Sequence, residues 1–177
     1  MENVETINEI TTNLEASRIE FKRIDVNKFV ILFTITFGLY GIWWIYKSWQ
    51  FFKDKEKTDI MPAIRALFSI FFLIPLFNKI SRFAKVNGYN QAYSSVLLFF
   101  GFWIFNLLGN LPEPYFLIAL FSIICLIPPF KALNFAVDYC DDFKVINQEN
   151  FNGRQIFLLI AGSIFWILVL IGLFIGE

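Results

Sequence analysis

The chain has 177 residues, of which 57% are hydrophobic and 20% aromatic, and its formal net charge is zero. A soluble domain of this length cannot bury so much apolar surface, so the composition favours a protein embedded in a bilayer. Zero net charge, without a basic run interleaved with aromatic residues, argues against nucleic acid as a partner.

The residues that usually carry catalysis are scarce in this sequence. It has no histidine and two cysteines, Cys125 and Cys140, with no Cys-x-x-Cys motif. The most common general base, the most common metal ligand and the usual zinc and thiol-redox motifs are therefore missing. We expect no catalytic site, no metal site and no cofactor.

The N-terminal segment, residues 1–27, is polar and lacks the continuous apolar core of a signal peptide. Its apolar residues follow helical spacing, with Ser17 interrupting the stripe. The pattern predicts an amphipathic helix lying on the membrane, and the alternative is a short coiled coil or partner-binding helix. The residues of the stripe are Ile7, Ile10, Leu14, Phe21 and Ile24.

Five apolar blocks follow, each close to the ~20 residues that a helix needs to cross ~30 Å of hydrocarbon. Backbone groups in lipid must pair internally, so helix is the predicted state of each block. The predicted fold class is all-α, an integral membrane helical bundle of about five transmembrane helices. The blocks cover residues 29–46, 60–77, 92–111, 115–130 and 156–175.

A dense aromatic cluster ends the first block and is followed by several lysines. Amphipathic rings sit at the headgroup level of a bilayer, and lysine side chains extend past them. The pattern predicts membrane-interface anchors, and a ligand-stacking site is the alternative. The aromatic residues are Tyr40, Trp43, Trp44, Tyr46 and Trp49.

Two apolar stretches, residues 66–77 and 119–130, are identical at nine of twelve positions. This repeat predicts tandem two-helix units plus one helix, with a polar segment at 1–27, hairpins at 28–90 and 91–153, and a final transmembrane helix at 154–177. Small residues on one face let helices approach closely. The small residues predicted to form the seam between the repeated helices are Ala66, Ser69, Ala119 and Ser122.

The extensions beyond the two repeated stretches carry opposite charges. One has Lys79, Arg82 and Lys85, and the other has Asp138, Asp141 and Asp142. If the repeats pack side by side, these groups can pair, although two separately solvated helix faces remain the alternative. The acidic cluster lacks the ligand spacing of a calcium loop, which disfavours a cation site.

Charge bias bears on the orientation of the spans. The turn at 110–114 has no Lys or Arg, which places it outside. Five spans with an internal N-terminus fit the repeat, because homologous tandem units share an orientation. A re-entrant second block with an external N-terminus fits the charges equally well. The lysines between residues 47 and 57 fit the five-span arrangement poorly, since it places them outside.

The first block also carries a recognisable motif, Thr36-Phe-Gly-Leu-Tyr-Gly-Ile-Trp-Trp44, followed by Tyr46 and Lys47. It resembles a family of small bacterial multi-span membrane proteins of unknown function, whose first span carries T-x-G-x-Y-x-x-x-W followed by basic residues. The resemblance covers residues 28–90 and implies a bacterial inner membrane. It implies no catalytic residues.

Three functions remain open from the sequence. The preferred one is a non-enzymatic scaffold, sensor or complex subunit, with the lipid bilayer as its environment and residues 1–25 or 131–155 as surfaces for a protein partner or self-association. The alternative is a small transporter or channel, whose pore a homo-oligomer could build, with Asn106 as the best polar residue within a span. A membrane enzyme built on Asp138, Cys140, Asp141 and Asp142 is disfavoured, because anionic neighbours oppose the thiolate that a cysteine mechanism needs.

Overall fold

The computed structural model describes residues 19–112, 115–140, 143–148 and 150–175. Within these ranges the chain is mostly helical, which confirms the all-α class. The helices are α1 Val26–Ile35, α2 Leu39–Glu56, α3 Pro62–Leu67, α4 Ser69–Val86, α5 Ser95–Leu108, a 3₁₀ helix Tyr115–Ser122, α6 Ile123–Asp138 and α7 Gly153–Ile175. Two short strands, β1 Ile19–Arg23 and β2 Phe143–Asn147, accompany them.

The end of the N-terminal segment is a strand rather than part of an amphipathic helix. Strand β1 pairs with β2 in parallel, so that Ile19 lies opposite Phe143 and Arg23 opposite Asn147. The prediction of a helix through residue 27 is therefore wrong for 19–23, because pairing with a distant strand satisfies this backbone. The rest of that predicted helix, residues 1–18, lies outside the described residues.

The first apolar block is not one helix, and the prediction of a continuous span over 29–46 is wrong. Helix α1 ends at Ile35, and α2 begins after a turn in which Phe37 and Gly38 have φ angles of 50° and 86°. The Thr36 hydroxyl donates to the Leu32 carbonyl at 2.7 Å and accepts from the Tyr40 amide at 3.0 Å. This side chain thus serves both helix ends at the turn, and Gly38 supplies the left-handed backbone.

The turn sends α2 back along α1. A Cβ on Gly41 would lie only 2.7 Å from the Phe33 ring, so the glycine allows the close approach. The Phe29 and Trp44 ring centroids are 5.8 Å apart. Pairing of earlier residues in α1 with later ones in α2 shows an antiparallel hairpin. With ten residues, α1 is roughly 15 Å long, about half the thickness of a hydrocarbon core.

The second apolar block is also broken. Phe68 separates α3 from α4 with a ψ of 43°, outside the helical range. The Arg65 guanidinium in α3 stacks on Trp49 in the middle of α2, at 4.5 Å from the ring centroid. Farther along, Lys79 of α4 forms an ion pair with Glu56, the last residue of α2. Helices α3 and α4 therefore bring the chain back to the end of α2.

The repeat seen in the sequence extends to the three-dimensional structure. Shifting α2, α3 and α4 by 53 residues places them on α5, the 3₁₀ helix and α6. In both copies a short helix meets a longer one at the shared Leu-Phe-Ser, and α4 packs against α6. The buried residues of α4 correspond one by one to buried residues of α6: Leu73 to Leu126, Leu76 to Pro129, Phe77 to Phe130, Ile80 to Leu133 and Ala84 to Val137.

The small residues predicted to form the seam do not all lie between α4 and α6. Ala66 and Ser122 are buried, and Ser69 is half-buried. Ala119 packs instead against Gly109, the C-cap of α5, since the Ala119 Cβ lies 2.8 Å from where a Cβ on that glycine would be. The longer apolar side chains of α4 and α6 form the contact, because the small residues lie in α3, in the 3₁₀ helix and at the first position of α4.

Charged and polar contacts gather the sequence-distant segments at one end of the molecule, which we call the polar end. Arg23 forms an ion pair with Asp138, and the Lys28 ammonium donates to the Gln148 carbonyl. The Phe21 ring packs edge-on against Phe51 at 5.3 Å. The start of α1 and the ends of α2 and α6 therefore all meet at the polar end.

Helix α7 starts at the polar end and runs alongside α1 in the same direction. Lys28 lies 5.4 Å from the Phe151 ring centroid, and the Phe37 ring stacks on Trp166 at 4.6 Å. Beyond that stack α7 continues for nine residues and reaches a length of roughly 34 Å. Its apolar surface is largely exposed, as Phe157, Ile160 and Leu168 illustrate.

Two of the described helical segments are long and apolar enough to cross a membrane. They are Tyr115–Asp138, with a mean hydropathy of 2.2, and Gly153–Leu173, with a mean hydropathy of 2.8. Helices α1 and α5 are apolar but shorter. The predicted bundle of five transmembrane helices is therefore not confirmed, because turns divide the first two blocks.

The close contact between α1 and α7 gives a prediction about stability. A Cβ on Gly162 would lie 2.2 Å from Ile35 Cγ2, whereas a Cβ on Gly172 would meet nothing within 4 Å. We expect Gly162→Ala to lower the melting temperature in detergent micelles, since overpacking costs about 1–3 kcal/mol. Gly172→Ala is the matched control and should leave stability unchanged or slightly raised. Equal melting temperatures for the two variants would contradict this packing.

Candidate ligand-binding groove along α2

A cavity of about 620 Å³ follows one face of α2, and we call it the α2 groove. Its volume lies within the range of ~300–1,000 Å³ typical of small-molecule sites. Strand β1, helix α6 and the start of α7 form the other walls. The side chains that argue for a site are Lys22, Tyr40, Trp43, Trp44, Lys47, Ser48, Asp54, Asn134, Arg154, Gln155 and Leu158.

Aromatic rings form the inner wall of the α2 groove. Tyr40 and Trp44 are only 4% and 5% exposed, and Trp44 packs at 5.8 Å from the ring of Phe130 in α6. Trp43 is 45% exposed and stacks on Tyr40 at 5.0 Å. The wall therefore runs from rings fixed in the core to one ring at the mouth.

This placement corrects the prediction of membrane-interface anchors. Tyr40, Trp44 and Trp49 are buried in the core, so they have no surface to present to headgroups and the prediction is wrong for them. The helical reversal at Gly38 turned them inward. Trp43 and Tyr46 keep exposed surface, and anchoring remains a prediction for these two.

A capping box fixes the start of α7 at the edge of the groove. The Gln155 amide donates to Asn152 Oδ1 at 3.0 Å, and the Asn152 amide donates to Gln155 Oε1 at 3.1 Å. Reciprocal bonds of this kind satisfy two of the backbone donors that a helix N-terminus leaves unpaired. The Gln155 side chain, 4% exposed, is therefore held in one orientation.

The same glutamine ties α7 to α2. Gln155 Nε2 donates to the Tyr40 hydroxyl at 3.1 Å, and Gln148 Nε2 donates to Gln155 Oε1. Tyr40 accepts this bond and keeps its own O–H, for which the structure gives no acceptor among the described residues. The Tyr40–Gln155 pair thus closes one wall of the groove and leaves a donor there.

Two other polar side chains on the groove wall are internally satisfied. Asn134 Nδ2 donates to the Ile24 carbonyl at 3.0 Å, which joins α6 to the end of β1. The buried Ser48 hydroxyl donates to the Trp44 carbonyl at 2.9 Å in its own helix. Both groups can still accept a hydrogen bond from a ligand.

The charges that line the groove are unbalanced in favour of cations. Lys22, Lys47 and Arg154 line it together with a single carboxylate, Asp54. The three cations are exposed, and Lys47 donates to Gln50 Oε1 at 2.9 Å rather than to an acid. Within the described part of the chain, none of the three has a carboxylate within 4.0 Å.

The predicted pairing between the two charged extensions takes a different form. Asp138 pairs with Arg23 of β1, and Lys79 pairs with Glu56 of α2. Each extension therefore pairs with a residue other than the opposite extension, because these partners close the polar end. Arg82 and Lys85 are both exposed. Asp141 and Asp142 lie outside the described residues.

The remaining candidate residues are placed as follows. Lys55 Nζ lies 3.3 Å from Cys140 Sγ. Asn106 Nδ2 donates to the Phe102 carbonyl of its own helix at 2.7 Å. Among the described residues no group of three or more His, Cys, Asp or Glu side chains is arranged to hold a metal ion.

Sequence reasoning missed Gln155, Asn134 and Arg154 as groove residues. The Asn-x-x-Gln spacing before the last apolar block was a usable signal for the capping box. No local pattern indicates Asn134, since its role depends on the distant carbonyl of Ile24. The alternative prediction for the aromatic cluster, a ligand-stacking site, included Tyr40, Trp43 and Trp44, which line the groove.

In comparisons with known proteins, no family model matches the chain, and no curated protein or solved structure matches it significantly.

The Tyr40–Gln155 contact gives a prediction that a double-mutant cycle can test. Gln155→Leu removes the acceptor of two donors and should cost about 1–3 kcal/mol of unfolding free energy. Tyr40→Phe removes one acceptor and should cost less. The double variant should be destabilised by less than the sum of the single variants, because the shared bond is lost only once. Additive losses, measured by unfolding in micelles, would show that the two side chains do not interact.

Proposed function

We propose that the protein is a non-enzymatic membrane protein of the sensor class, which binds an amphiphilic ligand in the α2 groove. The observation that carries this proposal is the groove itself. It combines a rigid aromatic wall, a fixed polar pair at Tyr40 and Gln155, and a cationic margin. Few, well-placed polar groups on an apolar wall are the usual composition of a ligand site.

The membrane setting rests on the exposed apolar surface. Helix α7 is long enough to span a membrane, and none of its most apolar 18-residue stretch is buried. An apolar helix exposed on most of its surface requires lipid or a partner around it. Together with the resemblance carried by residues 36–44, this supports a multi-pass protein of a bacterial inner membrane.

The contacts of the polar end support a cytoplasmic location for it. Lys22, Arg23 and Lys28 lie there with Lys55 and Lys79, whereas the turn at 110–112 has neither Lys nor Arg. Positive charge concentrates on the cytoplasmic side of membrane proteins. In this orientation α1 and α2 form a re-entrant hairpin, and the lysines between 47 and 57 lie inside.

The proposed topology has fewer crossings than the five predicted from hydropathy. The 3₁₀ helix with α6, and α7, cross the membrane, and the shorter helix α5 crosses together with the residues that flank it. The α1–α2 and α3–α4 pairs enter and return. Non-helical backbone at membrane depth is tolerated where it is buried in protein or lines a cavity. The turn at 36–38 meets this condition, because Thr36 lines the α2 groove and the Phe37 ring stacks on Trp166 of α7.

Binding of dibromostearate, a single-chain amphiphile that quenches tryptophan on contact, tests the proposed function. In micelles we expect saturable quenching of Trp43 and Trp44. Ser48→Phe fills the groove and should remove the saturable part. Ser163→Phe, on the exposed face of α7, is the matched control and should preserve it. Quenching of the wild type that rises linearly without saturation would rule out a ligand site.

A small transporter is the second candidate, and one feature favours it. Broken helices whose ends meet inside the membrane are common in transporters, where they line the substrate site. The α1–α2 turn has this form and faces the α2 groove. The measurement is transport of a groove ligand across the membrane of proteoliposomes. Transport that Ser48→Phe abolishes and Ser163→Phe preserves would favour a transporter over a sensor.

A further inference from the structure

We propose that the ligand of the α2 groove is an anionic phospholipid, with its phosphate between Lys22, Lys47 and Arg154 and one chain along the aromatic wall. This inference deepens the proposed function and rests on it. The groove then distinguishes membrane lipids by headgroup charge.

The charges that line the groove are unbalanced in favour of cations. Three cations and one carboxylate line the groove, and the cations have no acidic partner among the described residues. Unpaired cations beside an apolar wall favour an anion that brings its own apolar part. A phosphate with an acyl chain meets both conditions, and each cation near an anionic headgroup strengthens binding roughly fivefold.

Arg154 lies where an anion is favoured, at the N-terminal end of a helix. It lies in the first turn of α7, where the helix dipole carries partial positive charge and favours an anion. This is also the end at which α7, the more apolar of the two helical segments long enough to cross a membrane, leaves the polar end of the molecule. A headgroup bound there has its chain directed along the apolar part of the protein.

The lining of the groove changes from polar to apolar along its length. Along α2 the lining residues run from Leu39 through Trp43 to Asp54. Lys22 follows Phe21, whose ring packs on Phe51 near the Asp54 end. Leu39 is 67% exposed and Trp43 is 45% exposed, so the apolar end opens to the surface of the molecule. A lipid chain can enter sideways from the bilayer there, whereas a small soluble anion gains nothing from this end.

The contacts of Lys47 leave its positive charge available to a lipid headgroup. Its ammonium lies 5.8 Å from the Trp43 ring centroid and 5.7 Å from that of Tyr46, while donating to Gln50. Cation–π contacts hold the charge at the mouth without neutralising it. Two of its three N–H donors remain for a phosphate.

Native mass spectrometry of the full chain in micelles measures the preference directly. We expect dioleoyl phosphatidylglycerol to bind more than about tenfold more tightly than dioleoyl phosphatidylcholine, since a net of two cations at roughly fivefold each gives about 25-fold. The combined variant Lys22→Gln, Lys47→Gln and Arg154→Gln should reduce the difference to about twofold or less. Equal affinities in the wild type would overturn the inference.

The control variant carries the same change in net charge at exposed lysines that do not line the groove: Lys57→Gln, Lys85→Gln and Lys131→Gln. It should keep the full preference, and a loss equal to that of the groove variant would overturn the inference. If the groove variant does not fold, Arg154→Gln alone should show a partial loss that Arg154→Lys restores. Failure of Arg154→Gln to change the preference would count against the site.

Two further outcomes separate this inference from related ones. Inorganic phosphate at millimolar concentration should not displace phosphatidylglycerol, and full displacement would show that the groove takes a soluble anion. Saturable dibromostearate binding without a phosphatidylglycerol preference would leave the proposed function standing and overturn this inference. Absence of both would remove both proposals.

Discussion

The structure depends on the reversal of the chain at residues 36–38. The Thr36 hydroxyl serves both helix ends, Gly38 supplies a left-handed conformation, and Gly41 leaves room for the Phe33 ring. Without this reversal α2 would continue away from the polar end. With it, α2 returns along α1, its aromatic face becomes core, and a groove forms between α2, α6 and the start of α7.

The same reversal gives the motif in the first apolar block a physical meaning. Thr36 and Gly38 build the turn, Tyr40 accepts a bond from Gln155, and Trp44 packs on Phe130. These spaced residues are one structural unit that holds the wall of the groove. The unit also explains why lysines follow the motif closely: the chain has already returned to the end from which it started.

The sequence was sufficient for the helical class, for the repeat and for the packing of its second helices, because local periodicity and direct identity encode them. It was insufficient for the breaks at Phe37 and Phe68, since hydropathy is continuous across both and the cause is a hydroxyl bond or a single backbone angle. The groove was only partly predictable. The aromatic cluster was evident, but its inward orientation and its link to Gln155 depend on contacts more than 100 residues apart.

The most direct test of this account is the side of the membrane on which Thr58 lies. In a chain whose native cysteines are replaced, single cysteines at Thr58, Asn110 and Asn150 would be labelled with a membrane-impermeant maleimide in intact cells. The re-entrant hairpin predicts that Thr58→Cys and Asn150→Cys are protected and that Asn110→Cys is labelled. Labelling of Thr58→Cys together with Asn110→Cys would show that the first apolar block crosses the membrane, and would contradict the account.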